Sequence, residues 1–454
     1  MKTPFAKNLL YIGLILSLFC LGCRRPEPAE RDHIHLSFWH SSADAAGLAF
    51  DTFVREFNEG PGAAMNVTVE AVFQGQYAEA TAKLRPLLQA EQVYALPDIM
   101  EIDATGVVDF LQTPFAYTVD EALDRDHSFN LGGIVEAPLR AWNYGGRQLG
   151  LPLSASTTIM YYNKSILDAA GITSPPTTFE EIILAARRLP AQNSNGQALT
   201  AYANLPNTPL LANWIGQIPG RDGTNASYLV NMRNGRDGDA TALTADGEGT
   251  LLTFLRAWRD LYEAGALLNL SSGLTNLFLT EQIVFLTAST SQMMSLINQI
   301  DGRFELGSSF FPRINASSNF GATVSGSGVF MFNKGDQARL DAAWEFVKFM
   351  CSPEIQARFA IATGYMPVNA ASSQERIFTE HLERYPQAKV GPEQLAITSP
   401  DMMGVIVGPA RNFYFEIENQ GSAMLSDRRS PEETVGIMSR ALNLLLDDYT
   451  EANR

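Results

Sequence analysis

Residues 33–39 alternate strictly: Ile34, Leu36 and Phe38 fall on one face, His33, His35 and Ser37 on the other. That is the period of a half-buried strand. Over residues 43–59 the period changes. Leu48, Phe50, Phe53, Val54 and Phe57 recur three or four apart, which predicts an amphipathic helix. Residues 67–73 read as a second strand, the turn Gly75-Gln76-Tyr77 follows, and a helix is expected over about 78–91. Residues 97–103 read as a third strand, and Ala104-Thr105-Gly106 opens the next helix. Strands alternating with helices predict an α/β fold with a parallel sheet. Ligands of such sheets sit beyond the carboxyl ends of the strands. Trp39, His40, Tyr77 and Asp103 fall there and are candidate binding residues.

The middle of the chain changes texture. A small-hydroxyl run, Ser154-Ala155-Ser156-Thr157-Thr158, leads into Ile159-Met160-Tyr161-Tyr162. Short hydroxyls ahead of a β-prone segment predict a polar lip on a sheet edge, able to donate and accept hydrogen bonds. Thr178 with Glu181 is a capping box, opening a helix to about residue 189. Residues 196–249 are rich in Asn, Gly, Thr and Asp and contain Trp214. Trp214 is a candidate aromatic platform, although a lone Trp in such a stretch more often packs. Residues 251–264 carry Phe254, Leu255, Trp258, Leu261 and Tyr262 on one helical stripe.

Thr287-Ala288-Ser289-Thr290-Ser291 repeats the hydroxyl turn after an apolar run. ATVSGSGVFMF, residues 322–332, is a Gly/Ser entry into a buried strand. It is neither a phosphate-cradling loop, for no Gly-Lys-Ser/Thr follows, nor a nucleophile elbow. Residues 341–360 read as a helix pair, with Leu340, Trp344, Val347 and Cys351 in register and a Ser352-Pro353-Glu354 cap between them. Tyr365 is presented by the turn at 363–368, and 405–411 is a further loop. A final helix opening at Ser430-Pro431 packs through Met438, Leu442 and Leu445.

Composition sets the scale. A chain of 454 residues with 46% hydrophobic and 18% charged content is globular and long enough for two domains. The formal net charge of −16, with no Lys/Arg block, argues against a nucleic-acid partner. The first residues stand apart. Lys2 and Lys7 precede thirteen uncharged residues, 9–21, a short span for a bilayer. Cys20-Leu21-Gly22-Cys23 resembles a bacterial lipoprotein cleavage site, with Cys20 where Leu is usual. Residues 1–22 are therefore expected to be a lipoprotein signal peptide, Cys23 the lipidated residue, and 23–32 a charged, Pro-containing tether. The protein is expected to be exported, periplasmic or cell-surface, and lipid-anchored to a membrane. A single membrane anchor is the alternative. His33 and His35 have no further ligand at a metal spacing, so a solvated strand face is expected and no metal or cofactor. Cys351 is expected to be a buried thiol.

Several runs occur together in a particular order: Phe38-Trp39-His40-Ser41, Gly75-Gln76-Tyr77, Ser156-Thr157 with Tyr161-Tyr162-Asn163-Lys164, Thr287-Ala288-Ser289, Ser325-Gly326, and Thr363-Gly364-Tyr365-Met366-Pro367. In that order the chain resembles the family 1 extracellular solute-binding proteins of bacterial ABC importers, and within them the glycerol-phosphate binders. The resemblance implies a two-lobe α/β periplasmic-binding-protein (Venus flytrap) fold that closes on a ligand in the cleft. Lobe 1 is expected over 33–145 and 285–335, lobe 2 over 146–284 and 336–454. Ligand contacts are implied at Tyr77, Ser156, Ser289, Gly326 and Tyr365, and at an Arg in the C-terminal loop, where Arg411 is nearest. Two departures stand out. Ala104 falls where the glycerol-phosphate binders have a Glu, and Tyr202 and Leu205 fall in place of their tryptophans. A phosphorylated polyol or glycerophosphodiester is the first expectation for the solute, and a neutral sugar the next. The implied partners are that solute and the transmembrane permease, with the chain itself a monomer. An exported glycoside hydrolase would need paired carboxylates, and only Asp103 is placed at a strand end, so no enzyme activity is expected.

Overall fold

The computed structural model describes residues 33–104, 106–111, 113–221 and 223–452. The expected signal peptide (1–22) and tether (23–32), with Cys23, lie outside them. The chain opens with β1 (Ile34–His40), α1 (Asp44–Glu59), β2 (Val67–Phe73), α2 (Tyr77–Gln89), β3 (Ile99–Asp103), α3 (Glu136–Arg140) and β4 (Leu151–Asn163). Next come β5 (Thr200–Asn204), α4 (Thr208–Gly216), α5 (Thr250–Glu263), β6 (Leu267–Asn269), β7 (Ile283–Ser289), β8 (Leu306–Ser309) and β9 (Val324–Phe332). The C-terminal part is helical, with α6 (Gln337–Met350), α7 (Pro353–Thr363), α8 (Val390–Ile397), α9 (Ala410–Ser426) and α10 (Pro431–Ala452) among its elements.

Among the described residues these strands hydrogen-bond in the order β2-β1-β3-β9-β4-β7-β5-β6. β1 is parallel to β2 and to β3, as the alternation of strand and helix requires. β4 makes this one path serve two lobes. Its 13 residues span about 43 Å at strand rise. Residues from Leu151 to Thr157 pair with β9, from Val329 down to Val324. Residues from Thr158 to Tyr162 pair with β7, from Ser289 back to Phe285. A single strand thus leaves one core and enters another.

The first lobe buries Leu36, Phe38, Phe50, Phe57, Leu151 and Val329 together with Phe346 and Phe359. Its opposite sheet face packs Met100, Ile102, Phe110, Trp142 and Phe330. The second lobe closes around Tyr202, Trp214, Phe254, Trp258, Phe285, Met438 and Leu442. The two-lobe α/β fold is the one expected, but the lobe boundaries need correction. Residues 336–363, expected in the second lobe, form α6 and α7 and pack on the first. β9 ends on the first lobe's sheet, and only a few residues separate it from α6. The stripe Leu340, Trp344 and Val347 therefore folds back onto the sheet just completed. Residues 285–322, expected in the first lobe, belong to the second: the end of β7 and all of β8 pair with the second half of β4, and Phe311, Ile314 and Ala322 lie in the second-lobe core. Residues 151–157, expected in the second lobe, are paired in the first.

Three hydroxyl-bearing segments meet where β4 crosses. Ser154 faces Ser327 and Ser156 faces Ser325 across β9, while Thr158 faces Ser289 across β7. A third connection lies alongside, where the Met366 amide donates to the Ala155 carbonyl at 2.7 Å.

Candidate ligand cleft

The site is built from strand ends. β1 runs out at His40, and Ser41 and Ser42 follow. After β2, Gly75 turns the chain with φ +89°, and a capping box between Gln76 and Glu79 starts α2 at Tyr77. The helix start fixes where the phenol goes. Along β3, Met100 and Ile102 bury one face, which puts Glu101 on the other, where it is only 1% exposed.

Glu101 gathers the rim. Its Oε2 accepts from the Ser41 amide at 2.9 Å. Its Oε1 accepts from the Ser42 hydroxyl at 2.9 Å, the Tyr77 phenol at 2.9 Å and the Ser327 hydroxyl at 2.7 Å. The Ser327 amide donates to Ser154 Oγ at 3.0 Å. Burial pushes the Tyr77 phenol far up, and the charge of Glu101 adds to it, so Tyr77 stays protonated and remains the donor. Tyr365 behaves alike: burial first and then Glu101 raise its pKa, while a hydrogen bond with Ser291 acts the other way. Its ring stacks on Phe359, with centroids 5.8 Å apart. Tyr365 therefore lies between the Glu101 cluster of the first lobe and the end of β7 in the second. There Ser289 and Ser291 share a hydrogen bond of 2.8 Å, and Tyr161 donates to the Ser289 carbonyl at 3.1 Å.

The other sequence candidates divide. His40 is buried beneath the rim, packed by Phe38, Phe50 and Phe73. Its Nδ1 meets the Ser42 carbonyl at 3.1 Å, and a carbonyl can only accept, which assigns the proton to Nδ1. Burial lowers its pKa, with Glu101 opposing. Trp39 is half-buried on the opposite sheet face. Asp103 accepts from the Gly106 amide at 3.2 Å and closes the turn after β3. Ser156 is buried at the crossing, and Gly326 on β9 takes φ +124°. Trp214 is the correction. It is fully buried, stacked on Phe254 at 5.1 Å, and donates through Nε1 to the Pro312 carbonyl at 3.1 Å. Asn207 caps α4 through the Leu210 amide, so Trp214 sits on a helix within this Asn- and Gly-rich stretch and points into the core. Arg411 sits exposed in the first turn of α9, its guanidinium 5.7 Å from the Phe415 ring, and it makes no contact with the Glu101 cluster.

Glu101 and Ser327 are the residues that the sequence reading did not single out. One signal was available: Glu101 is the charged residue inside the apolar run Ile99-Met100-Glu101-Ile102. A carboxylate there must either face water or be satisfied by donors. In the second lobe, Tyr202 fills the floor instead of a ligand platform. Its hydroxyl contacts Thr287 at 2.8 Å and accepts from Asn204 at 2.7 Å.

Comparison with known proteins fits this geometry. Residues 52–390 match the family described as bacterial extracellular solute-binding protein. The sn-glycerol-3-phosphate-binding periplasmic protein UgpB of Yersinia pseudotuberculosis is 21% identical over 432 residues, covering 92% of this chain and 94% of that one. UgpB from Mycobacterium tuberculosis, solved in complex with glycerophosphocholine, superposes with a TM-score of 0.70 at 19% identity, over 91% of this chain and 98% of that one. The GacH receptor of Streptomyces glaucescens, solved unliganded and with acarbose, does so with a TM-score of 0.69 at 19% identity, over 91% and 99%.

Proposed function

The chain belongs to the bacterial extracellular solute-binding proteins, and on that premise we propose that it captures a small hydroxyl-bearing solute between its lobes and hands it to the permease of an ABC importer. It is a binding protein and not an enzyme. Among the described residues no helix is long and apolar enough to cross a membrane. In this reading a lipid on Cys23 holds the protein at a membrane surface.

The observation that carries the reading is the position of Tyr365. Its ring stacks on Phe359 in the first-lobe core, the Met366 amide next to it bonds to Ala155 on β4, and Gly364 before it lies against the Ser291 carbonyl just beyond β7 in the second lobe. A solute seated against Tyr77, Ser156, Ser289, Gly326 and Tyr365 would bond to both rims at once. Each bond contributes only about 0.5–1.5 kcal/mol net, so affinity comes from their number, and the number is complete only when the lobes are together. The ligand then favours the closed state by its differential affinity for it, and release needs only reopening. Glycerol phosphate esters are suggested by the names of the sequence relatives, and sugars by structural relatives such as the acarbose complex.

The test is a thermal-shift screen of the purified protein against glycerol-3-phosphate, glycerophosphocholine, maltose, trehalose and simple monosaccharides. A binder of the native state raises Tm by mass action. Small-angle scattering on the hit should then show a smaller radius of gyration. A Tm shift without that contraction would mean that binding does not close the lobes.

A further inference from the structure

We propose that Glu101 is a positioning residue that turns the hydroxyls of the first-lobe rim inward, leaving a wall of acceptors that selects a neutral polyhydroxyl solute and rejects a phosphate ester. This rests on the solute-capture reading above and names the substrate class for it.

The argument is one of proton direction. Glu101 receives an amide and three hydroxyl donors, from Ser41, Ser42, Tyr77 and Ser327. An ionised carboxylate can only accept, so each of those hydroxyls has committed its single proton to Glu101. Ser327 has none left for Ser154, so in their 2.9 Å contact Ser154 must be the donor. The commitment passes from the carboxylate through Ser327 to Ser154, both of them buried. Ser42 and Tyr77 are half-buried, and with their protons on Glu101 their oxygens have only lone pairs left to offer.

A ligand meeting such a wall must bring donors. Sugar and polyol hydroxyls have them. A phosphate ester dianion offers only acceptors, and its charge would stand near that of Glu101. The charged side chain that hydrogen-bonds this rim is Glu101, an anion. Arg411, the cation expected to meet a phosphate, lies apart on α9.

The substitution that tests this is Glu101→Gln. The Gln side-chain oxygen must still face the Ser41 amide, which can only donate. The new NH2 group then points at Tyr77 and Ser327, which have to accept from it and turn their own protons away. Shape is kept and polarity reversed. Titration calorimetry on the purified protein would use maltose, trehalose, glycerol-3-phosphate and glycerophosphocholine as probes. In the wild type a neutral probe is expected to bind and the phosphate esters are not. Glu101→Gln should weaken the neutral probe at least tenfold while raising the affinity for a phosphate ester relative to it. Tyr77→Phe, which removes one acceptor and leaves the carboxylate in place, should weaken the neutral probe about fivefold, and it keeps the test standing if the Gln variant does not fold. Binding of a phosphate ester alone would overturn the proposed class and leave solute capture intact. Equal loss for all probes in Glu101→Gln would overturn the positioning role. Binding of neither class would overturn solute capture itself, and this inference with it.

Discussion

The carbonyl oxygen of Ser154 occupies the space that a side chain on Gly326 would need: a Cβ built at 326 falls 2.3 Å from it. The two strands of the crossing approach this closely because residue 326 has no side chain and takes φ +124°. Gly326→Ala is therefore expected to destabilise the protein by about 2–4 kcal/mol, read as a lowered urea midpoint. Gly335, also left-handed but with open space around it, is the control. There Ala should cost about 1 kcal/mol. Equal effects at the two positions would show that conformation, and not the contact with Ser154, decides.

Tyr365 gives the second prediction. Tyr365→Phe keeps the stack on Phe359 and removes the hydroxyl that meets Ser291. Affinity for the solute identified by thermal shift should fall about fivefold, one net hydrogen bond. Tyr365→Ala and Ser289→Ala should each weaken it further than that or comparably. Unchanged affinity in both alanine variants, measured by calorimetry, would remove these residues from the cleft.

Asp98 is a buried acid on which Lys334 at 3.2 Å and Arg339 at 2.8 Å converge. Burial alone would raise its pKa, but the Arg339 bond, the Ser37 amide and the charge of Lys334 outweigh burial and lower it. A carboxyl depressed in the folded state contributes stability that is full above its unfolded value and lost as pH falls through the folded one. The urea midpoint should thus decline on acidification below the ordinary value of 3.8. Asp98→Asn, which strands Lys334, should cost about 3–5 kcal/mol at neutral pH. The gap between variant and wild type should narrow as pH drops through that range. A gap of constant size would mean that the ion pairs do not account for it.

Lipidation is checked directly. Cells fed a labelled fatty acid should incorporate it into the wild type and not into Cys23→Ala. Label retained by the variant would place the acyl group elsewhere. Cys351 is no competing acceptor: it is buried, and burial pushes its thiol up to about 12.

The local elements were legible because each writes its period into the chain. The alternation of Ile34, Leu36 and Phe38 is β1, and the stripe Phe50, Phe53, Phe57 is the buried face of α1. Ser289 and Tyr365 were candidates through the resemblance of their runs, 287–289 and 363–367, to the solute-binding family. The partners of those elements were not legible. Nothing local to residues 283–289 says that they pair with the second half of β4, and nothing local to α6 says which lobe its stripe covers. Register and docking are chosen by surfaces hundreds of residues apart.

The sequence by itself determined the α/β class, for which period suffices, and the two-lobe plan followed from the resemblance of its ordered runs to a known family; the hydroxyl run at 154–158, expected on a sheet edge, lies instead inside the central crossing strand β4, buried between β9 and β7. Only the tertiary structure decided that Trp214 is core and that Glu101 is the centre of the rim. The role of a buried polar group is defined by its donors, and those of Glu101 come from the turn after β1, from α2 and from β9, up to 226 positions away along the chain.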